Sequence, residues 1–383
     1  MKRQLLGVAA ILLSISTYAQ DNPLWMRYCA ISPDGTTIAF TYKGDIYTVP
    51  STGGRASQIT TNPAHDTKPI WSPDGKKIAF ASDRMGSMDI FEVNKEGGIP
   101  KRLTTHSGNE TPVAYKDAGH ILFLANIMPT VEDAQFPSGQ IQQVYEVNTE
   151  GGRPALFSSM PMEDISINHT GNTLLYHDKK GYEDPWRKHH TSSITRDIWL
   201  CSLNGNRTFR KQTTFNGEDR IPVWASDDKS FYYLSEEKGS FNIFKRDIDG
   251  NTSKQITNHT KHPVRFLSAA SNGTLCYGYD GEIYTVKEGA IPQKVQISIV
   301  TDKNDKDLRS SVAEQPRYPF RPMQRKLLLY YAEMYMSHQQ NTAPPNKSPI
   351  LRNRNAIFTF LRTEEVLFTL PKETDYGRFI KPV

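Results

Sequence analysis

A repeated unit of about 40 residues constrains the fold of this chain more than any other feature of its sequence. The clearest copy covers residues 68–104, where four short runs rich in Ile, Phe, Val and Trp are separated by turn residues. Its first turn, Ser72-Pro73-Asp74-Gly75, joins a fixed φ at Pro73 to two residues that accept a left-handed backbone. The unit predicts a meander of four antiparallel strands. Such a meander cannot bury both faces alone, so it requires neighbouring copies.

Further copies of the unit follow the same order of apolar runs and turns. Ile38-Ala39-Phe40 in the first unit corresponds to Ile78-Ala79-Phe80 in the second. The six units cover residues 31–60, 68–104, 113–157, 165–213, 223–257 and 266–299. Six units of this kind close a ring. The predicted fold class is therefore all-β, a six-bladed β-propeller of four-stranded antiparallel blades over residues 20–302.

Residues 1–19 have the form of a secretory signal peptide. Lys2 and Arg3 precede an apolar run that ends at Leu13, and Ala19 supplies a small residue at the expected cleavage position. No later stretch approaches the ~20 apolar residues that a membrane-spanning helix needs. We therefore expect export to the periplasm and no membrane span.

The net charge of +5 does not indicate a nucleic-acid partner once it is divided along the chain. Residues 1–310 carry 35 basic and 35 acidic side chains, whereas residues 311–383 carry 11 and 6. The excess lies in the tail, so the propeller shows no basic bias toward phosphates. We expect no nucleic-acid partner.

The cysteines do not predict a cofactor or metal site. Cys29, Cys201 and Cys276 fall in three different units, and an odd number at such separations matches neither a disulfide framework nor a zinc pattern. They are predicted to be buried, inert thiols. We expect neither a cofactor nor a metal.

Two units carry insertions between their second and third strands, at 126–143 and 178–196. Long loops on a propeller are frequent binding sites. The basic and aromatic residues of the second insertion are the candidate contacts for a peptide or protein partner: Tyr182, Trp186, Arg187, Lys188, His189, His190 and Arg196. One interpretation is contact with a polyanion, a carboxylate or a partner chain, and the other is a solvated loop that packs on its neighbour. The pair His189-His190 is a poor metal site, because adjacent side chains of an extended chain point apart.

No catalytic motif is visible in the sequence. Gly-x-Ser-x-Gly, His-Glu-x-x-His and the phosphate-binding loop are all absent. The Ser-Pro-Asp-Gly segments recur at the turn position of the unit, as a structural device does. We therefore expect no catalytic residues in this chain.

The repeat W-S-P-D-G-x-x-I-A-F, followed by S-x-R-x-G-x-x-D-I-F, resembles the WD-like propeller repeat of tricorn-type serine peptidases and of the Tol-system periplasmic protein. The opening Asn22-Pro23-Leu24-Trp25-Met26-Arg27-Tyr28, directly behind a leader, looks more like exported tricorn homologues. The Tol protein begins instead with a small mixed domain, for which residues 20–27 leave no room.

The resemblance implies a six-bladed propeller, then a seven-bladed one, then a peptidase region with a PDZ module. The implied function is a non-catalytic propeller that guides peptides or products through its central channel and supports the catalytic part. The implied partners are peptides or proteins, with a homo-oligomer if the family's assembly is retained. The alternative is a free-standing, Tol-like periplasmic propeller that binds a protein or another ligand.

Residues 303–383 are the predicted tail. After Ser310 the repeat pattern stops, and the tail continues as a basic run dotted with proline. If codons are rebuilt in another reading phase, the genetic code permits V-S-P-N-A-K-E-I-A-F from Pro319 and F-S-P-D-G-R-S-I-V-Y from Thr359. One phase thus recovers two propeller repeats at the right spacing. We predict that the tail is an out-of-frame remnant of a second propeller, truncated before any peptidase region. Sequencing the gene tests this, because an independent homologous tail would contradict it.

The sequence also predicts how the ring closes. The chain enters at the first strand of unit one, and unit six completes its own four strands by Ile299. No strand is left to be shared, so the join is expected to consist of apolar side chains without a ladder of backbone hydrogen bonds.

Overall fold

The structure, a computed structural model, describes residues 23–127, 141–181 and 191–300. These residues form six antiparallel four-stranded sheets and one two-stranded ladder. Blade one contains β1 (Arg27–Ile31), β2 (Thr37–Tyr42), β3 (Asp45–Pro50) and β5 (Ser57–Gln58), in which β5 pairs with β3; the short strand β4 (Gly54–Arg55) belongs to the two-stranded ladder. Blades two and three contain β6 (Asp66–Trp71), β7 (Lys77–Ser82), β8 (Asp89–Asn94), β9 (Lys101–Arg102), β10 (Thr111–Asp117), β11 (His120–Ala125), β12 (Gln143–Asn148) and β13 (Ala155–Ser158).

The remaining strands complete the ring. Blades four and five contain β14 (Met162–Ile167), β15 (Thr173–Asp178), β16 (Ile198–Ser202), β17 (Thr208–Lys211), β18 (Asp219–Trp224), β19 (Ser230–Ser235), β20 (Asn242–Asp247) and β21 (Ser253–Gln255). Blade six contains β22 (Arg265–Ala269), β23 (Leu275–Tyr279), β24 (Glu282–Val286) and β25 (Gln293–Lys294), followed by β26 (Ile297–Ser298). The predicted fold class is confirmed. The leader and tail, residues 1–19 and 303–383, lie outside the described residues, and the predicted domain boundaries stay predictions.

The Ser-Pro-Asp-Gly segment forms the first turn of a blade through its own side chains. In blade two the Ser72 hydroxyl donates to Asp74 at 2.6 Å and accepts from the Lys77 amide at 2.9 Å, while Gly75 has φ +68°. Hydrogen bonding, chiefly from Ser72, lowers the pKa of the Asp74 carboxyl. The repeated Ser and Asp are thus used within the turn, as the sequence predicted.

A threonine after the outer strand holds that strand to the rest of the blade. The Thr60 hydroxyl accepts from the Ile46 amide at 3.0 Å, and the Thr104 hydroxyl accepts from the Ile90 amide at 2.9 Å. The same bond recurs in blades four and five from Thr213 and Thr257. This bond explains why each of these units ends on threonine.

The hydrophobic core is divided into clusters, each lying between two adjacent blades. The middle strands are buried on both faces because each blade is covered on both sides; Ile78, Ala79 and Phe80 have no exposed surface. The Trp71 indole extends this packing by donating to the Ala30 carbonyl of the previous blade at 2.9 Å. Neighbouring blades thus bury one another's faces, as the repeat required.

The expectation about ring closure is wrong in one respect. Blades one and six do pack through an apolar cluster that includes Ile31 and Ile283. In addition, β26 pairs in parallel with β4, and the amides of Gly54 and Ala56 donate to the carbonyls of Gln296 and Ser298 at 2.8 and 2.9 Å. The sequence does not predict this ladder because its strands, β4 and β26, are only two residues long and belong to none of the four-stranded sheets.

Gly53 makes this ladder possible, and replacing it tests the closure. Its φ is +91°, and an added Cβ would lie 2.6 Å from the Gln296 carbonyl oxygen. Gly97, at the same place in blade two, has φ +94° but only an ordinary 3.5 Å contact. We expect Gly53→Ala to lower the free energy of unfolding by about 1–3 kcal/mol more than Gly97→Ala does. Urea unfolding measures the difference. Equal losses of unfolding free energy in the two variants would contradict a contribution of the β4–β26 ladder to stability.

Candidate functional site

The topology places both insertions at one end of the propeller. In blade four, Met162 at the start of the first strand pairs with Asp178 at the end of the second, so the following insertion leaves from beside that start. Blade three is arranged in the same way, because Thr111 pairs with Leu124.

The candidate contact residues of the second insertion divide between the described and undescribed parts of the chain. Tyr182, Trp186, Arg187, Lys188, His189 and His190 lie outside the described residues. Arg196 is described, and its side chain is only 5% exposed. The structure therefore places Arg196 within the ring, at the base of the insertion.

Arg196 belongs to a charged network between blades four and five, formed by Glu163, His177, Arg196, Glu218 and Arg220. The guanidinium of Arg196 lies 3.6 Å from Glu163 Oε2 and 3.4 Å from Glu218 Oε1. Arg220 Nε donates to Glu218 Oε2 at 2.7 Å. Burial disfavours ionisation of Glu218, but Arg220 and Arg196 hold its pKa below the usual range. The network thus anchors the end of the insertion to the neighbouring blade.

His177 links this network to the first strand of blade five. Its Nδ1 accepts a hydrogen bond from the Ile221 amide at 3.3 Å, and its Nε2 lies 3.3 Å from Glu163 Oε2. Its Nδ1 also lies 3.5 Å from Asp164 Oδ2, so the ring faces two carboxylates of blade four. Burial opposes ionisation of Glu163, but hydrogen bonds from His177 and Lys179 hold its pKa well below the usual range.

The first strands of the six blades form the wall of the central channel, since each packs against the first strands of its two neighbours around a closed cycle. Each of these strands has an irregular register. In five of them a non-glycine residue has positive φ at the same position, three residues before the strand ends: Tyr28, Lys68, Asp164, Ile221 and Phe266. We call these five residues the channel-wall group. Such bulges re-aim a side chain, and positive φ outside glycine is strained, so the repeated feature marks a candidate site.

Members of the channel-wall group contact one another across blade boundaries. The rings of Tyr28 and Phe266 have centroids 4.8 Å apart, and Lys68 Nζ lies 5.7 Å from the Tyr28 centroid. Burial raises the pKa of Tyr28, Arg27 opposes the shift, and the charge of Asp164 in blade four adds to it. Blades one and four are opposite in a six-membered ring, so these side chains share one central space. The wall presents two aromatic rings, an ammonium and a carboxylate.

The sequence analysis did not find the channel-wall group. Its members differ in type from blade to blade, so no residue motif marks them. A positional signal does exist, because Lys68 and Ile221 stand three residues before Trp71 and Trp224 of the repeat. Aligning the units on the end of the first strand would have selected all five residues.

Residues 23–127, 141–181 and 191–300 contain neither a cluster of metal ligands nor a helix that could span a membrane. Over these ranges, no three His, Cys, Asp or Glu side chains come together as a metal ion would need. The same part of the chain contains no helix with the length and apolar character of a membrane span.

Comparison with known proteins places the chain in a family. The model of the tricorn protease N-terminal beta propeller domain matches residues 23–290. Tricorn protease homolog 1 of Streptomyces coelicolor is 26% identical over 281 residues, which cover 72% of this chain and 25% of that protein. The chain thus spans about a quarter of the length of this relative.

Solved structures share the fold. The crystal structure of the tricorn protease superposes with a TM-score of 0.61 at 21% identity, covering 74% of this chain and 27% of that one. TolB from Acinetobacter baumannii superposes with a TM-score of 0.51 at 15% identity, covering 69% and 61% of the two chains. At these identities the superpositions establish the fold alone. The family model, however, covers well over half of the 383 residues, and the chain therefore belongs to the family of the tricorn protease N-terminal beta propeller domain.

Proposed function

We propose that this chain is the non-catalytic N-terminal propeller of a tricorn-like serine peptidase and that it guides peptides through its central channel. The observation that carries the proposal is the channel-wall group, in which five blades turn one side chain each at the same strand position. Family membership supports the link to a peptidase. The catalytic groups of such an enzyme are expected in the three quarters of the relative's length that this chain does not match.

The chemistry of the wall suits an extended peptide. Tyr28 and Phe266 offer an aromatic surface for apolar side chains. Lys68 can donate to peptide carbonyls or to a carboxylate. Asp164, whose side chain is half exposed and has one oxygen 3.5 Å from His177 Nδ1, can accept from a peptide amine. A surface with a positive group, a negative group and an aromatic pair can bind many peptide sequences weakly. Weak binding is what a channel needs if peptides are to move through it.

Peptide binding to the purified chain tests this function. We expect a fluorescein-labelled ten-residue peptide with Phe and Leu to bind more tightly than one with Gly at those positions. Phe266→Ala is expected to weaken the first peptide about tenfold, because an aromatic contact of about 1 kcal/mol and its buried area are lost. Fluorescence anisotropy measures the dissociation constants of both peptides.

A matched control uses Phe209, which is 40% exposed on β17, the outer strand of blade four. Phe209→Ala should leave peptide affinity unchanged. Equal affinities of Phe266→Ala, Phe209→Ala and the unsubstituted chain would show that the channel wall is not the binding surface. Thermal melts verify that each variant is folded.

The second candidate is a free-standing binding propeller of the Tol type, to which the fold is equally suited. A stable protein partner captured by the chain, and lost when residues 182–190 are removed, would favour this candidate. Peptide hydrolysis by the purified chain would contradict both candidates. Export to the periplasm and assembly into a homo-oligomer remain part of the proposal; a mature chain that begins at Gln20 would support export.

A further inference from the structure

Two of the three cysteines meet where the ring closes. Cys29 lies on β1 of blade one, and Cys276 lies on β23 of blade six. Their separation in the sequence spans nearly the whole propeller. Both side chains belong to the buried cluster between these two blades, with exposed fractions of 4% and 0%. The third cysteine, Cys201, is buried in a different cluster between blades three and four.

The backbones of the two cysteines are held close together by one serine. The Ser268 hydroxyl lies 3.4 Å from the carbonyl oxygens of both Cys29 and Cys276, so the two oxygens lie within twice that distance of each other. The Ile31 amide donates to the same hydroxyl at 3.1 Å. A disulfide requires the two cysteine backbones to lie near each other, with Cα atoms within roughly 7 Å. The shared serine holds the backbones of Cys29 and Cys276 next to each other across the join.

The Cys29 thiol is directed across the join, toward the blade that carries Cys276. Burial raises the pKa of the Cys276 thiol well above its usual value, and the Cys29 side chain raises it further. The Cys29 thiol donates to the Phe266 carbonyl at 3.4 Å, which orients it toward blade six. Both thiols thus lie in the one buried cluster at the join, and the Cys29 thiol is directed toward the blade that carries Cys276.

We propose that Cys29 and Cys276 form a disulfide that joins blade one to blade six and closes the propeller covalently. This role differs from the inert thiols that the sequence predicted. The two thiols are oxidised by a small-molecule disulfide or a thiol–disulfide oxidoreductase. One cysteine thiolate attacks the oxidant and releases one thiol from it, giving a mixed disulfide. The second thiolate then attacks the bonded cysteine sulfur and releases the second thiol, so two electrons and two protons pass to the oxidant.

The burial of the pair determines when the bond can form. Attack requires a thiolate, which the closed interface disfavours at Cys276. Oxidation therefore belongs to folding, before the two blades close, or to their transient separation. The closed loop runs from residue 29 to residue 276, and the stabilisation from cross-linking grows with loop length in the chain-entropy model.

A thiol count on the unsubstituted chain tests the proposal. The chain is unfolded and reduced, refolded with reduced and oxidised glutathione, and then alkylated in denaturant. We expect one alkylated cysteine, Cys201, and a peptide pair containing Cys29 and Cys276 that separates on reduction. Three alkylated cysteines, or a bond that includes Cys201, would overturn the proposal. This measurement needs no variant, so a variant that fails to fold does not affect it.

Thermal unfolding gives a second readout. Reduction is expected to lower the melting temperature of the unsubstituted chain by roughly 5–10 °C. Cys201→Ser should keep this shift, whereas Cys29→Ser and Cys276→Ser should each abolish it. A shift of the same size in Cys29→Ser would refute the assignment, because the redox effect would then have another source.

Discussion

Glu218→Ala is expected to lower the free energy of unfolding by about 3–5 kcal/mol. The Glu218 side chain is 2% exposed and is the carboxylate shared by Arg196 and Arg220, whose side chains are 5% and 10% exposed. Removing it leaves two guanidinium groups in the interface between blades four and five with their shared partner gone. Removing one partner of a buried ion pair is far more costly than losing an exposed contact, and Glu218 is a partner of both arginines. Urea unfolding followed by tryptophan fluorescence measures the change.

Glu150→Ala is the matched control for this variant. Glu150 accepts a hydrogen bond from Lys101 at 2.7 Å, but its side chain is 83% exposed. Exposed ion pairs contribute little because water and salt screen them. The unfolding midpoint of Glu150→Ala should stay at the value of the unsubstituted chain. If Glu218→Ala is as stable as this control, the charged network does not hold the two blades together.

Stability is expected to fall as the pH rises from 5 to 8, and Asp219 should account for much of the loss. Burial, assisted by the charges of Asp197 and Glu237, raises the pKa of Asp219 to about 7. The folded chain thus binds this proton more tightly than the unfolded chain does. The favourable contribution is complete below the unfolded pKa near 4 and is lost as the pH passes through about 7. The loss at pH 8 is about 2–4 kcal/mol.

Asp219→Asn removes this titration and should therefore be more stable than the unsubstituted chain at pH 8. Its stability should also change less between pH 5 and 8. Glu110, whose pKa burial raises to about 7, contributes in the same direction and leaves part of the slope in place. Asp74→Asn is the control, since the pKa of Asp74 is lowered and its titration lies below this range. The measurement is the difference in melting temperature between pH 5 and pH 8. If this difference is the same in Asp219→Asn as in the unsubstituted chain, Asp219 is not the group responsible.

Glu218→Ala and Asp219→Asn test two opposite effects of charge at the interface between blades four and five. The Glu218 network is stabilised by opposite charges that face one another, whereas Asp219, its neighbour in the chain, is destabilised by burial of its charge. Asp219 begins the first strand of blade five and Glu218 directly precedes it; both lie near Arg196, at the base of the second insertion.

The sequence by itself determined the local structure and the blade count. Strand alternation, the Ser-Pro-Asp-Gly turn and the closing threonine act within one unit of about 40 residues, so their signals lie close together in the chain and recur. A four-stranded meander must also be covered on both faces, and that requirement led from the repeat to a ring. The buried state of all three cysteines followed from their positions on strands.

Only the tertiary structure decided which distant residues meet. The β4–β26 ladder, the cluster that contains both Cys29 and Cys276, and the channel-wall group each bring together residues from different blades, and no short motif marks them. Arg196 shows the same limit: its place in a basic insertion indicated the surface, yet Glu163 and Glu218 from neighbouring strands compensate its charge and allow its burial. Burial of a charge depends on partners that folding brings together, and their positions in the sequence do not reveal them.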